Sequence, residues 1–208
     1  MKVNKKKKVS SMSLVMSVIK DFKLSEHFSL SELCKTSVNS LGGNIPGPDD
    51  VENLKRLCPW LEELRYRYNQ RYVSPPKLGG ARGGLNSGTY SASSDHPAHP
   101  GSPPDSGGEE DTEEPIIITS GYRSPEVNRC VGGAYSSNHL TGCAVDIRVT
   151  GIEQALRYAV ILMDYADETQ QDYDELLIER NRKGHYWVHF AVRPPKRENR
   201  RKVCFIQT

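Results

Sequence analysis

The feature that most constrains this chain is an alternating segment with a carboxylate in its middle. Apolar and polar side chains alternate over residues 144–149, which predicts a half-buried β-strand. Aspartate is depleted in strands because its side chain competes for backbone hydrogen bonds, so Asp146 requires a partner such as a cation. His139 lies seven residues earlier, before a Gly-containing run that lets it fold back toward Asp146. We interpret these two residues as ligands of one metal ion.

A second alternating strand, residues 185–191, supplies a third candidate ligand. His189 shares a face of this strand with Trp187 and Ala191. Imidazole and carboxylate ligands together suit zinc, and three protein ligands with a fourth position left to water are typical of a catalytic site. The chain has no His-Glu-x-x-His motif, which excludes the thermolysin-like arrangement. Cys143 could close the site as a soft fourth ligand, but alternation predicts that it packs in the core.

Three segments together resemble the D-alanyl-D-alanine carboxypeptidase family of zinc peptidases. They are Ser137-x-His139-x-x-Gly142-x-Ala144-x-Asp146, the preceding Ile118-Thr119-Ser120-Gly121-Tyr122-Arg123-Ser124-Pro125, and Trp187-Val188-His189. This family is related to D-Ala-D-Ala dipeptidases, phage L-alanyl-D-glutamate endolysins and the hedgehog signalling domain. The resemblance covers residues 24–73 and 115–192.

The resemblance implies a set of site residues. The implied ligands of one zinc ion per chain are His139, Asp146 and His189. It also implies that Arg123 is catalytic and binds or polarises the substrate near the scissile bond. We assign Ser137 and Trp187, which lie in the same motifs, to substrate binding together with Arg123.

The general base departs from the family pattern. Family members often place an acidic residue three positions before the last histidine ligand, where this chain has Tyr186. Glu179, which follows the apolar residues 176–178, resembles the more distant glutamate that some relatives carry on the neighbouring strand. We therefore predict that Glu179 is the catalytic base; its alternative is a surface residue that pairs with Arg180 or Arg182.

The implied activity is zinc-dependent hydrolysis of a peptide bond in peptidoglycan stem peptides. The resemblance admits a D-Ala-D-Ala carboxypeptidase or an L-Ala-D-Glu endopeptidase, which would be a hydrolase related to endolysins. The alternative is a non-catalytic zinc-containing binding domain of hedgehog-like fold, which the absence of an acid at Tyr186 favours.

The periodicities predict an α+β fold, with helices packed on one face of a mainly antiparallel sheet and the zinc site on the other face. Ser29 and Glu32 have capping-box spacing, which predicts the start of a helix. A second helix is expected over residues 50–72, bent or broken early by Pro59. A third amphipathic helix is expected from residue 152, and a hairpin joins residues 174–179 and 186–192.

Length and composition predict one domain, and the resemblance implies that it is a zinc peptidase domain at residues 24–192. Residues 75–115 are rich in Gly, Ser, Pro and acidic residues, and we expect a disordered insertion there because such a segment buries little apolar surface. Residues 1–23 and 193–208 are expected to be basic tails.

Charge and hydropathy limit the partners and the compartment. The 28 basic and 26 acidic residues nearly cancel, so we expect no nucleic-acid partner. The resemblance implies a stem peptide as the substrate, and we expect a monomer. No apolar run reaches the ~18 residues of a membrane span, and residues 12–19 lack a cleavage site of a signal peptide. We expect a soluble, bacterial or phage-encoded protein that acts at the cell wall. Five cysteines without a C-x-x-C pair indicate free thiols.

Overall fold

A computed structural model describes residues 22–73 and 113–208 of the chain. The helices and strands are α1 (Leu30–Leu33), α2 (Pro48–Tyr68), β1 (Ile118–Ser120), α3 (Pro125–Cys130), β2 (Ala144–Arg148), α4 (Ile152–Thr169), β3 (Glu175–Arg180), β4 (Tyr186–Ala191) and β5 (Lys202–Gln207). A π-helical turn, Asn69–Val73, follows α2, and a 3-10 turn, Asn138–Thr141, precedes β2. Most of the predicted tail at 1–23 and of the predicted insertion at 75–115 lies outside the described residues, so this domain division stays a prediction.

The five strands form one sheet in the order β1-β2-β4-β3-β5. The β1–β2, β2–β4 and β4–β3 pairs are antiparallel, whereas β5 runs parallel to β3. The predicted hairpin is present as β3 and β4, and its turn is closed by a hydrogen bond of 3.0 Å from the backbone N–H of Asn181 to the carbonyl oxygen of His185. The prediction of an α+β fold with a mainly antiparallel sheet is confirmed.

The long helices pack against one face of this sheet. The ring of Trp60 in α2 lies 5.1 Å from Phe190 in β4 and 5.0 Å from Tyr165 in α4, measured between ring centroids. The central strands contribute four fully buried side chains to this core: Val145, Ile147, Val188 and Phe190. Burial of each such side chain stabilises the fold by roughly 1.5–3 kcal/mol. Because successive side chains alternate between faces, Asp146 and His189 lie on the opposite face.

The helices differ from their predicted extents. The helix that begins after Ser29 is only four residues long, although the Ser29 side chain accepts a hydrogen bond from the Glu32 N–H as the capping box predicts. Helix α2 continues through Pro59 without ending there. A proline removes one N–H and is costly inside a helix. The neighbouring Trp60 and Leu61 are buried, and their packing offsets that cost. None of the helices within residues 22–73 and 113–208 is long and apolar enough to cross a membrane.

The last residues of the predicted insertion contact the fold, and the C-terminal half of the predicted tail is part of the sheet. The backbone N–H of Glu114 donates a hydrogen bond of 2.7 Å to Asn69, and its carboxylate accepts one of 3.0 Å from Gln154. The prediction of a tail over residues 193–208 is wrong for the C-terminal segment, because Lys202–Gln207 forms β5 and pairs with β3 along its whole length. A basic composition did not prevent pairing, since acids of β3 offset the added charge.

Gly121 marks a close approach between the loop after β1 and the end of α1. A Cβ atom at this position would lie 2.1 Å from the carbonyl oxygen of Leu33, whose backbone also accepts a hydrogen bond of 2.8 Å from the N–H of Tyr122. Only glycine fits here without moving the backbone. The glycine of the Gly121-Tyr122-Arg123 motif therefore has a packing role.

We expect the Gly121→Ala variant to lose about 1–3 kcal/mol of unfolding free energy, because the added methyl group overlaps a backbone oxygen. Chemical denaturation of the metal-depleted protein measures this loss. Gly151→Ala is the matched control, since nothing lies within 4 Å of a Cβ atom there, and it should change stability by less than about 1 kcal/mol. Equal stability of the two variants would contradict the close approach.

Candidate metal centre

One 3-10 turn and two strands bring His139, Asp146 and His189 together. His139 lies in the 3-10 turn that Ser137 caps, and Gly142 ends this turn with a left-handed φ of 66°. The chain then enters β2, where Asp146 lies directly opposite His189 of β4 in the pairing register. The three side chains are buried, and each offers one donor atom within 4.8 Å of the others.

The spacing of the donor atoms fits a small tetrahedral ion. His139 Nε2 lies 3.2 Å from Asp146 Oδ1 and 3.2 Å from His189 Nδ1, and His189 Nδ1 lies 3.0 Å from Asp146 Oδ1. Ligands at 2.0–2.1 Å from a tetrahedral zinc ion are separated by about 3.3 Å. Two nitrogen atoms and one oxygen atom at nearly this separation form the donor set that zinc prefers. Among the described residues, these three form the group that could bind a metal ion.

The opposite ring nitrogen of each histidine faces a hydrogen-bond acceptor. His139 Nδ1 lies 2.7 Å from the carbonyl oxygen of Gly121, which places the proton on Nδ1 and leaves the Nε2 lone pair directed at the centre. His189 Nε2 lies 3.6 Å from a carboxylate oxygen of Glu175. This separation is longer than a hydrogen bond, so we regard the contact as electrostatic. Both contacts favour the tautomers that a metal ion requires.

Arg123 is part of this centre. Its guanidinium donates to Asp146 Oδ2, the carboxylate oxygen that faces away from the histidines, and its Nε donates a hydrogen bond of 2.7 Å to Ser120 Oγ. Its backbone N–H also donates to the carbonyl oxygen of His139, at 3.0 Å. Arg123 therefore orients Asp146 and braces the turn that carries His139, in addition to any role with substrate.

Burial and charge act in opposite directions on the candidate ligands. Burial lowers the pKa of His139, which keeps it neutral. Burial also opposes charge on His189, but its contacts with Asp146 and Glu175 outweigh this effect and raise its pKa to about 9. Burial would likewise raise the pKa of Asp146, but the two histidines hold it well below the usual range of a carboxyl group. A metal ion must displace the proton of His189, so its binding weakens as the pH falls.

The two glutamates of β3 have different environments on the same face of the sheet. Glu175 contacts His189, Arg200 and Lys202. These contacts lower its pKa to about 2, and His189 has the largest effect. Glu179 lies opposite Trp187 in the register, and its carboxylate makes no hydrogen bond or ion pair with the other described residues. Burial raises its pKa, and the nearby His189, Asp146 and Arg123 interact with its charge. The alternative of pairing with Arg180 or Arg182 is not observed.

Other predicted residues take less direct positions. The Oγ of Ser137 caps the turn by accepting from the N–H of His139 at 3.3 Å. Trp187 is partly buried and lies two residues before His189, on the same face of β4. Tyr186 lies on the opposite face, where its ring centroid is 6.2 Å from that of Phe205. Cys143 is buried with its Sγ 3.6 Å from the carbonyl oxygen of Thr141.

Our sequence reasoning missed the contacts of Asn138 and Glu175 with the centre. The side-chain amide of Asn138 donates hydrogen bonds of 2.8 Å to Asp174 and 3.0 Å to Glu175. Alternation places Glu175 and Glu179 on one face of β3, so the strand pattern contained a signal for Glu175. The pairing of β3 with β4 places Glu175 on the same face as His189. Alternation within β3 alone does not show which strand lies beside it.

The fold and the site together resemble a metallopeptidase class, since two histidines and one aspartate lie side by side on a mainly antiparallel sheet. A family model described as Peptidase M15 matches residues 109–173, which confirms the resemblance to this family of zinc-dependent peptidases. The match spans less than a third of the chain. It includes Arg123, His139 and Asp146 and ends before Glu179 and His189. No curated protein matches the chain.

We expect the native protein to bind one zinc ion per chain and His189→Ala to lose it, because two remaining ligands bind zinc poorly. Elemental analysis after gel filtration measures the occupancy. His185→Ala is the matched control: this histidine is exposed, four residues away, and outside the donor group. Full zinc occupancy in His189→Ala would reject this residue as a ligand.

Proposed function

We propose that this protein hydrolyses a peptide bond in the stem peptides of bacterial peptidoglycan, with one zinc ion as cofactor. The bond is that of a D-Ala-D-Ala carboxypeptidase or of an L-Ala-D-Glu endopeptidase, and the site of action is the cell wall. The observation that carries this proposal is the group of three donor atoms 3.0–3.2 Å apart, with a carboxylate nearby on the same face. The family match supports zinc-dependent peptidase chemistry.

The chain's own residues divide the work of hydrolysis. His139, Asp146 and His189 would hold a zinc ion, which would supply a Lewis acid that makes water nucleophilic near neutral pH. Glu179 accepts the proton of the attacking water and returns it to the leaving amine. Its raised pKa suits this exchange, since an ordinary glutamate holds a proton poorly near neutral pH. In contrast, Glu175 remains ionised and cannot serve as the proton carrier.

In this proposal three side chains contact the substrate: Arg123, Trp187 and Ser137. Asp146 and Ser120 engage two nitrogens of the Arg123 guanidinium. The third nitrogen is left to bind the substrate oxygen on which negative charge develops. Trp187 borders the same face and packs against the peptide, and Ser137 lies at the edge of the turn that carries His139.

A second candidate function is a non-catalytic zinc domain that binds a partner, as the hedgehog resemblance implies. The supporting observation is Tyr186, which replaces the acid of the common family pattern and faces away from His189. Glu179 favours catalysis over this candidate, because it provides a carboxylate on the site's own face.

Digestion of purified peptidoglycan followed by mass spectrometry of the products separates these functions. The zinc-loaded protein should release D-alanine or cleave the L-Ala-D-Glu bond, and chelator-treated protein should release neither until zinc is restored. Tight zinc binding without any product would reject the peptidase and favour the binding domain.

The Glu179→Gln variant tests the base. It retains the size and the position of the side chain but cannot accept a proton, so we expect full zinc occupancy and a loss of at least ~100-fold in kcat. In the native enzyme, activity should fall as the pH drops through the raised pKa of Glu179, and this acidic limb should be absent from the residual activity of the variant.

The stability of Glu179→Gln provides a second measurement. A carboxyl group with a raised pKa stabilises the fold only while it is protonated, and this contribution disappears as the pH rises through the folded-state pKa. At neutral pH the variant should therefore be at least as stable as the native protein in thermal unfolding. Glu26→Gln, at an exposed position, is the control for both measurements. Turnover near the native rate by zinc-loaded Glu179→Gln would reject the assignment.

A further inference from the structure

Two acids at the start of β3 connect the metal centre to the C-terminal segment. Asp174 is completely buried, and Glu175 lies on the face of the sheet that carries His189. Both acids are bound by basic side chains from the segment that was expected to be a solvated tail.

Asp174 fixes the C-terminal segment by charge and by backbone pairing. Its two carboxylate oxygens accept hydrogen bonds of 2.7 Å each from Nε and a terminal nitrogen of Arg200. The Nε of Arg193 lies 2.9 Å from Oδ1, an ion-pair distance without hydrogen-bond alignment. The carbonyl oxygen of Asp174 also accepts a hydrogen bond of 3.0 Å from the N–H of Lys202, at the start of β5. A bidentate pair of this kind gives a defined orientation as well as attraction.

The carboxylate of Glu175 lies between the C-terminal cations and the two candidate histidine ligands. Its Oε1 is 3.0 Å from Arg200 and 3.3 Å from Lys202. Its Oε2 accepts a hydrogen bond of 3.0 Å from Asn138, the residue before His139, and lies 3.6 Å from Nε2 of His189. One oxygen atom therefore faces the cations and the other faces the metal centre.

We propose that Glu175 is a positioning residue for the metal centre, and that Arg200 and Lys202 of the C-terminal segment fix its carboxylate beside His189. This inference rests on the zinc site of the proposed function. Glu175 contacts no donor atom that faces the centre; it acts through the far side of His189 and through Asn138.

The physical reason is the orientation of the imidazole ring. A carboxylate near Nε2 favours the tautomer with the proton on that nitrogen, so the lone pair of Nδ1 remains directed at the metal. His139 receives the same help from the carbonyl oxygen of Gly121. Without its cations, Glu175 would be repelled by the nearby Asp174 and Glu179. Arg200 and Lys202 offset this repulsion, and β5 is therefore needed for the geometry of a site to which it contributes no ligand.

Zinc affinity of the full chain tests this inference independently of turnover. Native protein and Glu175→Gln are stripped of metal and titrated with zinc in competition with a chromophoric chelator. The glutamine retains the size of the side chain and an oxygen for Asn138 but removes the charge beside His189. We expect zinc affinity to fall by roughly 10–100-fold, the usual effect of losing an outer partner of a histidine ligand. The visible spectrum of the cobalt-substituted variant should also change.

Two lysine variants complete the design. Lys202→Gln removes a cation 3.3 Å from Glu175 and should weaken zinc binding in the same direction by a smaller factor. Lys196→Gln removes the same charge from an exposed position of the same segment and should leave affinity unchanged. If the native protein binds no zinc, the proposed function fails. If the native protein binds zinc and Glu175→Gln binds it equally well, only the positioning role is overturned. Should Glu175→Gln not fold, equal affinities of the two lysine variants overturn it instead.

Discussion

The pairing register of β2, β4 and β3 determines what this sheet can bind. Val145 and Phe190 face each other on the helical side, and their burial fixes the neighbouring pair of Asp146 and His189 on the other side. A shift of one residue would move the ligands into the apolar core and the core side chains to the surface, at a cost of several side chains at roughly 1.5–3 kcal/mol each. The helices therefore help to position the candidate ligands, because they determine which face of each strand is buried and because α2 contacts the turn that carries His139.

The same register separates the chemistry of two glutamates that alternation alone treats as equivalent. Glu175 lies at the end of β3 where Arg200 and Lys202 reach it, so its charge is compensated. Glu179 lies four residues along the same face, beyond these cations, and burial disfavours its charge. One carboxylate thereby suits orientation of a ligand and the other suits proton transfer. Pairs of titratable groups whose environments move their pKa values apart are typical of active sites.

Local patterns predicted most of the sheet and the three residues that the fold brings together as candidate ligands, but they did not predict which distant strands pair. The alternating segments around Asp146 and His189 were recognisable because a charged residue in an apolar strand is unusual. The C-terminal strand was missed because a basic run, 193–202, precedes it and because its partner face carries acids almost thirty residues earlier. A charge run predicts solvent exposure only when no opposite charge lies near it in the fold. That condition depends on strand order, which the periodicity of a single strand does not contain.

The register also shows where the side chain of residue 186 points. Residues 186 and 189 are three apart in a regular strand, so their side chains point to opposite faces. Tyr186 accordingly lies on the helical side of the sheet, where its ring is 5.6 Å from the guanidinium of Arg180. A carboxylate in its place would also face away from His189. The face that carries His189 can receive an acid from the neighbouring strand β3. In that strand Leu177 lies opposite His189, and Glu179 lies opposite Trp187. The departure at Tyr186 is therefore consistent with catalysis by a carboxylate of β3.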